Sequence, residues 1–461
     1  MKDKQLHDFI TMKANEFKIP GVAIGVFTDD REIYACHGVT SIVNPLPIDQ
    51  DTLFILGSVT KTFTATTLMR LVAEGKVKLD APVRQYVPEL KLADEQSAKT
   101  ITVQNLLNHT SGLDWRVDVD SGEGDDALAR EVAKLAELKL IAPPGTRASY
   151  SQAGFDLIGR IIEKVTDKTY EQAVASLLFE PLELSHSLFS RDDVMTRRFA
   201  VGHNRDENGK LSIARPWKHW RSNNPGGGLA SSAADQIRWA RFHLGDGHSK
   251  NGTRVLPAEV LHHMQEQTVT LRGSSLGDAF GMCWFLREVD AVRTIGHGGS
   301  ANGQFAELLI VPERNFAVVS LSNSDPNGIP FNQAVVRWAL KNYLRLVDSD
   351  PEPMPFDAMR AQEIFGSYQN DFMTLTIENG RAGMRIDIQI RPEIRVGAKT
   401  ELPPDPEPTD IGLLPGDKDE YIITNGAYKG QRGFFTRDKS GVITGVDLAG
   451  RLFSRVQKTY K

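Results

Sequence analysis

The chain has 461 residues, 40% of them hydrophobic and 25% charged, with a formal net charge of -5. That composition belongs to ordinary globular proteins, and the length exceeds what one hydrophobic core covers, so two domains are expected. The charge balance implies no basic surface for nucleic acid or anionic lipid, and no stretch approaches about 18 consecutive apolar residues, so neither a nucleic acid nor a membrane is expected as a partner.

The N-terminal MKDKQLHDFITMKANEF lacks an apolar h-region, from which a cytoplasmic location is expected. Cys36 and Cys283 lie far apart in apolar surroundings and read as buried free thiols. Leu6, Phe9, Ile10 and Phe17 form a helical apolar stripe that ends at the breaker IPG, residues 19–21. VAIGVF (22–27) and EIYACHGV (32–39) then flank the turn TDD as a hairpin.

FILGSVTKT (54–62) places Ser58 and Lys61 three apart at a helix start, where i and i+3 share a face and the lysine amine can reach the serine hydroxyl. The helix continues through Phe63, Leu68, Leu71 and Val72, and Gly75 is placed to stop it. Free N–H groups and the dipole at that N-terminus favour developing negative charge beside Ser58.

Residues 100–245 are mostly helical with long loops, a lobe inserted into the sheet-bearing part. Within it, PPGTRASYSQAGFDLIGRIIEKVT puts Tyr150 on a loop just before a helix whose buried side is Leu157, Ile158, Ile161, Ile162 and Val165. TIGHGGSANGQFAELLI sets His297 and its glycines at the mouth of a strand, where a ligand approaching the backbone requires residues without Cβ. QFAELLIVPERNFAVVSLSN (304–323) reads as two strands joined by a short turn, hence antiparallel, followed by the helix NQAVVRWALKNYLRL.

These elements make an α+β architecture: an antiparallel sheet covered by helices from both chain ends, with a helical lobe, over residues 1–345. A Pro-rich acidic linker occupies 346–360. Residues 361–461 carry short strand-like runs punctuated by NG, RG, SG and AG turns, and form a small all-β barrel or sandwich. In that part ELPPDPEPTDIG (401–412) is too proline-rich for a central strand and reads as a loop. A solvated surface loop is the expected reading, the alternative being that it brings Asp405, Glu407 or Asp410 to the mouth of the cleft to set substrate choice.

The ordered set Ser58-Val59-Thr60-Lys61, Tyr150-Ser151-Gln152 and His297-Gly298-Gly299 resembles the S-x-x-K, Y-x-N and K-T-G or H-x-G elements of the penicillin-recognising serine hydrolases. That group includes class C β-lactamases, D-alanyl-D-alanine carboxypeptidases, D-aminopeptidases and β-lactamase-like esterases. ITVQNLLNHTSGL (101–113), PGGGLASSAAD (225–235) and NGQFAELLIVPERNFAVVSLSN (302–323) extend the likeness over residues 5–345. The last hundred residues resemble the lipocalin-like appendages of some D-aminopeptidases.

The resemblance implies that Ser58 forms an acyl-enzyme, with Lys61 and Tyr150 sharing proton transfer and either able to be the base. It implies an oxyanion hole from the N–H groups of Ser58 and Ser300, substrate contacts from Gln152, His297, Gly298, Gly299 and Ser300, and no metal or organic cofactor. Gln152 replaces the usual Asn, which alters a hydrogen bond to an acylamido group. His297 replaces the K-T-G lysine and so removes a permanent cation that would hold a substrate carboxylate, which predicts poor β-lactamase activity. The expected activity is cleavage of a peptide-like amide in a small molecule or short peptide, D-aminopeptidase-like or another peptidase. A carboxylesterase or weak β-lactamase, and a non-catalytic penicillin-binding or scaffold protein, remain the alternatives.

Overall fold

The computed structural model describes residues 2–115, 120–205, 208–381, 383–397, 402, 404–416 and 419–456. Its centre is an eight-stranded antiparallel sheet with the spatial order Arg31–Gly38, Gly21–Thr28, Phe316–Ser322, Gln304–Val311, Val292–Ala301, Phe285–Val289, Gly277–Phe280, Val269–Ser274. The N-terminal hairpin turns tightly because Asp29 and Asp30 both adopt positive φ, 50° and 56°, which aspartate tolerates better than most residues. It then pairs with the late strand Phe316–Ser322, Val22 opposite Ser322, which closes the sheet over about three hundred residues of sequence.

Strand Gly21–Thr28 is buried along its whole length, so its alternation sorts side chains between two covered faces rather than between core and water. Val22, Ile24 and Val26 join Leu6 and Ile10 of helix Lys2–Glu16 and Phe331 and Val335 of helix Gly328–Ala339. Ala23 and Phe27 face the other way, with Ile237 and Trp239 of helix Ala233–Leu244 and Phe63 of helix Thr60–Ala73. The helical lobe stands beyond that second face. Its helix Gln152–Thr166 is capped by the extended Ser151, whose hydroxyl accepts from Gly154 N at 3.1 Å, and this cap fixes Tyr150 one residue ahead of it.

Eight further strands between Gly366 and Arg455 close into an antiparallel barrel around Tyr368, Ile377, Ile386, Tyr421, Phe435 and Val446. Of the two forms allowed by the sequence, barrel or sandwich, the barrel is the one adopted. The expected loop at 401–412 is partly a strand: Thr409–Leu413 pairs with Met384–Ile390 and Glu420–Ile423, because the pairing N–H groups resume after Pro408. Glu401 and Pro403 lie outside the described residues. Asp405 is exposed and held on its own barrel, accepting from Ile390 N at 2.8 Å and from Arg395 at 2.5 Å.

The segment before the barrel is tied to the sheet by charge. Asp348 accepts from Arg287 at 2.7 Å and from Arg337 at 3.2 Å, and Asp350 from Arg337. The barrel seats against the lobe through Asp371 N to Asp114 Oδ2 at 3.1 Å and against the sheet through Ser275 N to Arg432 O at 3.0 Å. Among the described residues no helix is long and apolar enough to cross a membrane.

Candidate active site

Ser58 sits in the short 3-10 turn Gly57–Val59 and not in the α-helix proper, which begins at Thr60. Gly57 holds φ +54°, and a Cβ there would fall 2.6 Å from the Ser300 backbone nitrogen, so only glycine lets this turn meet the catalytic strand. Lys61, one turn on, is fully buried. Its Nζ lies 3.2 Å from Ser58 Oγ and donates to Gln152 Oε1 and to Gly226 O, both at 2.6 Å. An unpartnered buried ammonium costs several kcal/mol, and the two carbonyl acceptors remove most of that cost while aiming the third position of the nitrogen at the serine.

The segment carrying Gly226 is stitched to the same helix. Thr64 Oγ1 donates to Pro225 O at 2.6 Å, and Leu229 N donates to Thr60 Oγ1 at 3.2 Å. The run of threonines that lowers helix propensity here thus supplies the hydroxyls that hold the neighbouring backbone in place.

Gln152 is placed beside Lys61, with its amide committed to the lysine and, through Nε2, to Asp156 Oδ1 at 3.0 Å. The extra methylene relative to asparagine is accommodated by Gly226, where a Cβ would stand 1.4 Å from Gln152 Nε2. Tyr150 is 3% exposed, its ring 5.0 Å beneath the Lys61 nitrogen. Its hydroxyl faces Ser58, and burial drives the phenol well above its ordinary range, only partly offset by Ser58 and by the Arg451 guanidinium.

His297, on strand Val292–Ala301, is 1% exposed and stacked on Phe285 at 4.1 Å between ring centroids. Nδ1 donates to Gly298 O at 2.6 Å, which leaves Nε2 as an acceptor with no partner among the described residues. Burial and the nearby Lys61 push its pKa down to about 3, so the ring is neutral at physiological pH. Gly299 passes so close to the serine turn that a Cβ would lie 1.9 Å from Leu56 O and 3.0 Å from Ser58 N. Strand Phe285–Val289 pairs with this strand only as far as Gly296, leaving residues 297–301 with a free edge. The hairpin closes at Ala301 opposite Gln304, and the alternation of antiparallel pairs turns the Ser300 N–H out of that edge, toward Ser58.

Ser58, Tyr150, Gly298, Gly299 and Ser300 thus line one cleft of about 300 Å³, and Lys61, Gln152 and His297 are buried behind its wall. None of Asp405, Glu407 and Asp410 lines it, and Asp410 is bound to Asn425 on the barrel at 2.7 Å. The barrel contributes a different segment. Gly450 O accepts from Tyr150 N at 2.8 Å, Leu452 N donates to Ser149 Oγ at 3.3 Å, and the Arg451 guanidinium lies over the rings of Trp115 at 4.6 Å and Tyr150 at 5.0 Å.

Gly226, Arg451 and His109 are the site residues the sequence reading missed. Gly226 stands in the quoted PGGGLASSAAD, and His109 in ITVQNLLNHTSGL; nothing local marks Arg451. His109 packs on Tyr150 at 4.5 Å and accepts from Ser151 N at 3.2 Å; burial, with Lys61 nearby, holds it neutral.

A family model described as Beta-lactamase matches residues 7–340. The chain is 35% identical over 311 residues to "Penicillin-binding protein 4" of Amycolatopsis lactamdurans, covering 67% of this chain and 82% of that one. Among solved structures, "Crystal structure of SurE" superposes with TM-score 0.73 at 23% identity, covering 98% of this chain and 99% of that chain. A class C beta-lactamase mutant superposes with TM-score 0.62 at 22% identity, over 73% of this chain and 97% of its own. The first of these two likenesses extends through the barrel, and both concern the fold.

Proposed function

The chain belongs to the beta-lactamase family of penicillin-recognising serine hydrolases, and from that premise we propose that it cleaves a peptide-like amide through an acyl-enzyme on Ser58, in the manner of a D-aminopeptidase or a related peptidase. The observation that carries this reading is the Lys61 amine, 3.2 Å from Ser58 Oγ with two of its hydrogens already given to carbonyls. In its neutral form that leaves one lone pair, directed at the serine hydroxyl.

Lys61 takes the proton of Ser58 as Oγ bonds to the acyl carbon, and the Ser58 and Ser300 N–H groups receive the oxyanion. Tyr150 is the proton donor to the leaving group: burial raises its pKa and keeps the phenol protonated at rest, Ser58 lies beside its hydroxyl, and the proton taken by Lys61 restores it after the leaving group departs. Deacylation reverses the order, with water losing a proton to the Lys61–Tyr150 pair and Ser58 regaining one as it leaves. Gln152 positions Lys61. His297 offers the substrate an acceptor, Nε2, where related enzymes offer a cation.

The neutral His297 weighs against substrates that depend on a carboxylate clamp and supports an amide or simple ester. A carboxylesterase is thus the second reading, carried by the same residue. A non-catalytic scaffold would have no use for Gly226 and Gln152 carbonyls that hold the lysine amine beside Ser58.

A substrate panel tests this. D-alanine p-nitroanilide and p-nitrophenyl acetate should both be turned over, and nitrocefin, whose carboxylate finds no lysine at position 297, should lag p-nitrophenyl acetate by about 10- to 100-fold, the worth of one charge-assisted hydrogen bond. Nitrocefin hydrolysed as readily as the acetate would overturn the reading of His297.

A further inference from the structure

The cleft does not stop at the catalytic strand. The same cavity is lined by Ser58 and Tyr150 on one side and by Glu307, Asn332 and Arg337 on the other. It passes around the free edge at residues 297–301 to the opposite face of the sheet, beneath helix Gly328–Ala339. On that face the strand presents Gly296 and Gly298, which have no side chains to fill the space.

Glu307 stands opposite Gly298 in the ladder, and a Cβ at 298 would lie 3.0 Å from Glu307 Oε2. Most other charges of this chamber are matched: Arg287 and Arg337 share Asp348, Arg337 also holds Asp350, and Arg432 faces Asp278 at 3.8 Å. The Glu307 carboxylate has no hydrogen bond or ion pair with any described residue. Burial pushes it up to about 7, with only the Arg287 guanidinium pulling the other way. A carboxylate in this position gains most from a cationic partner brought in by a ligand.

We propose that Glu307 is a specificity residue, forming a subsite behind the catalytic strand that takes a primary ammonium group of the substrate past Gly298. This rests on the hydrolase reading above. It predicts that the enzyme prefers substrates carrying an aliphatic amine a few bonds from the scissile carbonyl over their neutral isosteres. Ionisation of Glu307 strengthens the preference as pH rises through about 7, the charged neighbours on the walls of the chamber being Arg287, Arg337, Arg432, Arg451, Asp348 and Asp350.

The test uses two matched pairs of esters with the full chain. In one the ammonium is on the acyl side (p-nitrophenyl 6-aminohexanoate against p-nitrophenyl hexanoate). In the other it is on the leaving side (5-aminopentyl thioacetate against pentyl thioacetate). One pair should show an ammonium-to-neutral ratio of kcat/KM of about ten or more, and the pair that does so says which side of the bond enters the chamber. Glu307→Gln should bring the ratio close to one, Glu307→Asp should keep part of it, and Gly298→Ala, which crowds the passage, should lower it.

A ratio near one in both pairs, or one unchanged in Glu307→Gln, overturns the proposal. Because a ratio is read, a general loss of activity in a variant does not mimic the result. If the neutral esters are not turned over and Ser58 is not acylated, it is the hydrolase reading that fails. The subsite is then read by calorimetry of pentylamine against pentanol: weaker pentylamine binding to Glu307→Gln than to the native chain supports it, and equal binding overturns it.

Discussion

A single methyl group at Gly226 would separate two accounts of the lysine. If Lys61 is poised only by its own helix, Gly226→Ala is a minor change. In the structure the added Cβ would stand 1.4 Å from Gln152 Nε2, so the amide must move and Lys61 loses an acceptor. A displacement of about 1 Å among catalytic groups costs on the order of 100-fold, so kcat/KM should fall by about that factor while the thermal melt stays near that of the native protein. Native rates in the alanine variant would place the poise of Lys61 elsewhere. Ser58, Lys61 and Tyr150 were legible in the sequence because each sits in a short motif: a three-residue spacing, or the position before a helix. The partnership of Gln152 with Gly226 was not, since nothing in either segment says that the fold stacks one on the other.

Among the elements, the turn at the end of the barrel strand Ile443–Leu448 joins barrel to cleft, and it is built around a buried acid. Asp447 is 2% exposed, one of its oxygens has no partner, and burial pushes the carboxyl up to about 8 against the pull of the Gly450 N–H and Arg451. A group whose folded pKa is raised stabilises the fold fully below its unfolded value, near 3.9, and that stability is lost as pH climbs to about 8. The slope approaches about 1.4 kcal/mol per pH unit for one proton. Asp447→Asn removes the dependence, so denaturant unfolding should show the variant gaining on the native chain between pH 4 and pH 8, by up to about 5 kcal/mol, and holding level above that. Parallel curves would mean that Asp447 is not protonated in the fold. In the sequence, 401–412 reads as a solvated loop, with a reach to the cleft as the alternative on the strength of its prolines and acids, and the alternative is the one that fails. Local composition identifies a loop but not which end of a barrel it leaves from, and Asp405 is held by Arg395 on its own barrel.

For the whole molecule, the order of parts was readable because periodicity changes along the chain, from helical stripes in the lobe to alternating runs and NG or SG turns after the acidic linker. Which surfaces meet was not, because contacts such as Tyr150 N to Gly450 O span three hundred residues and leave no trace in either neighbourhood. The cleft is walled by a helix start, a lobe, a strand edge and a barrel turn, and all four converge on one hydroxyl. That convergence is the central claim, and mass spectrometry of the full chain after incubation with a small fluorophosphonate measures it directly. The account predicts one adduct per chain, carried by the peptide containing Ser58 and lost in Ser58→Ala along with turnover by several orders of magnitude. An adduct on another residue, or labelling and turnover that persist in Ser58→Ala, would contradict it.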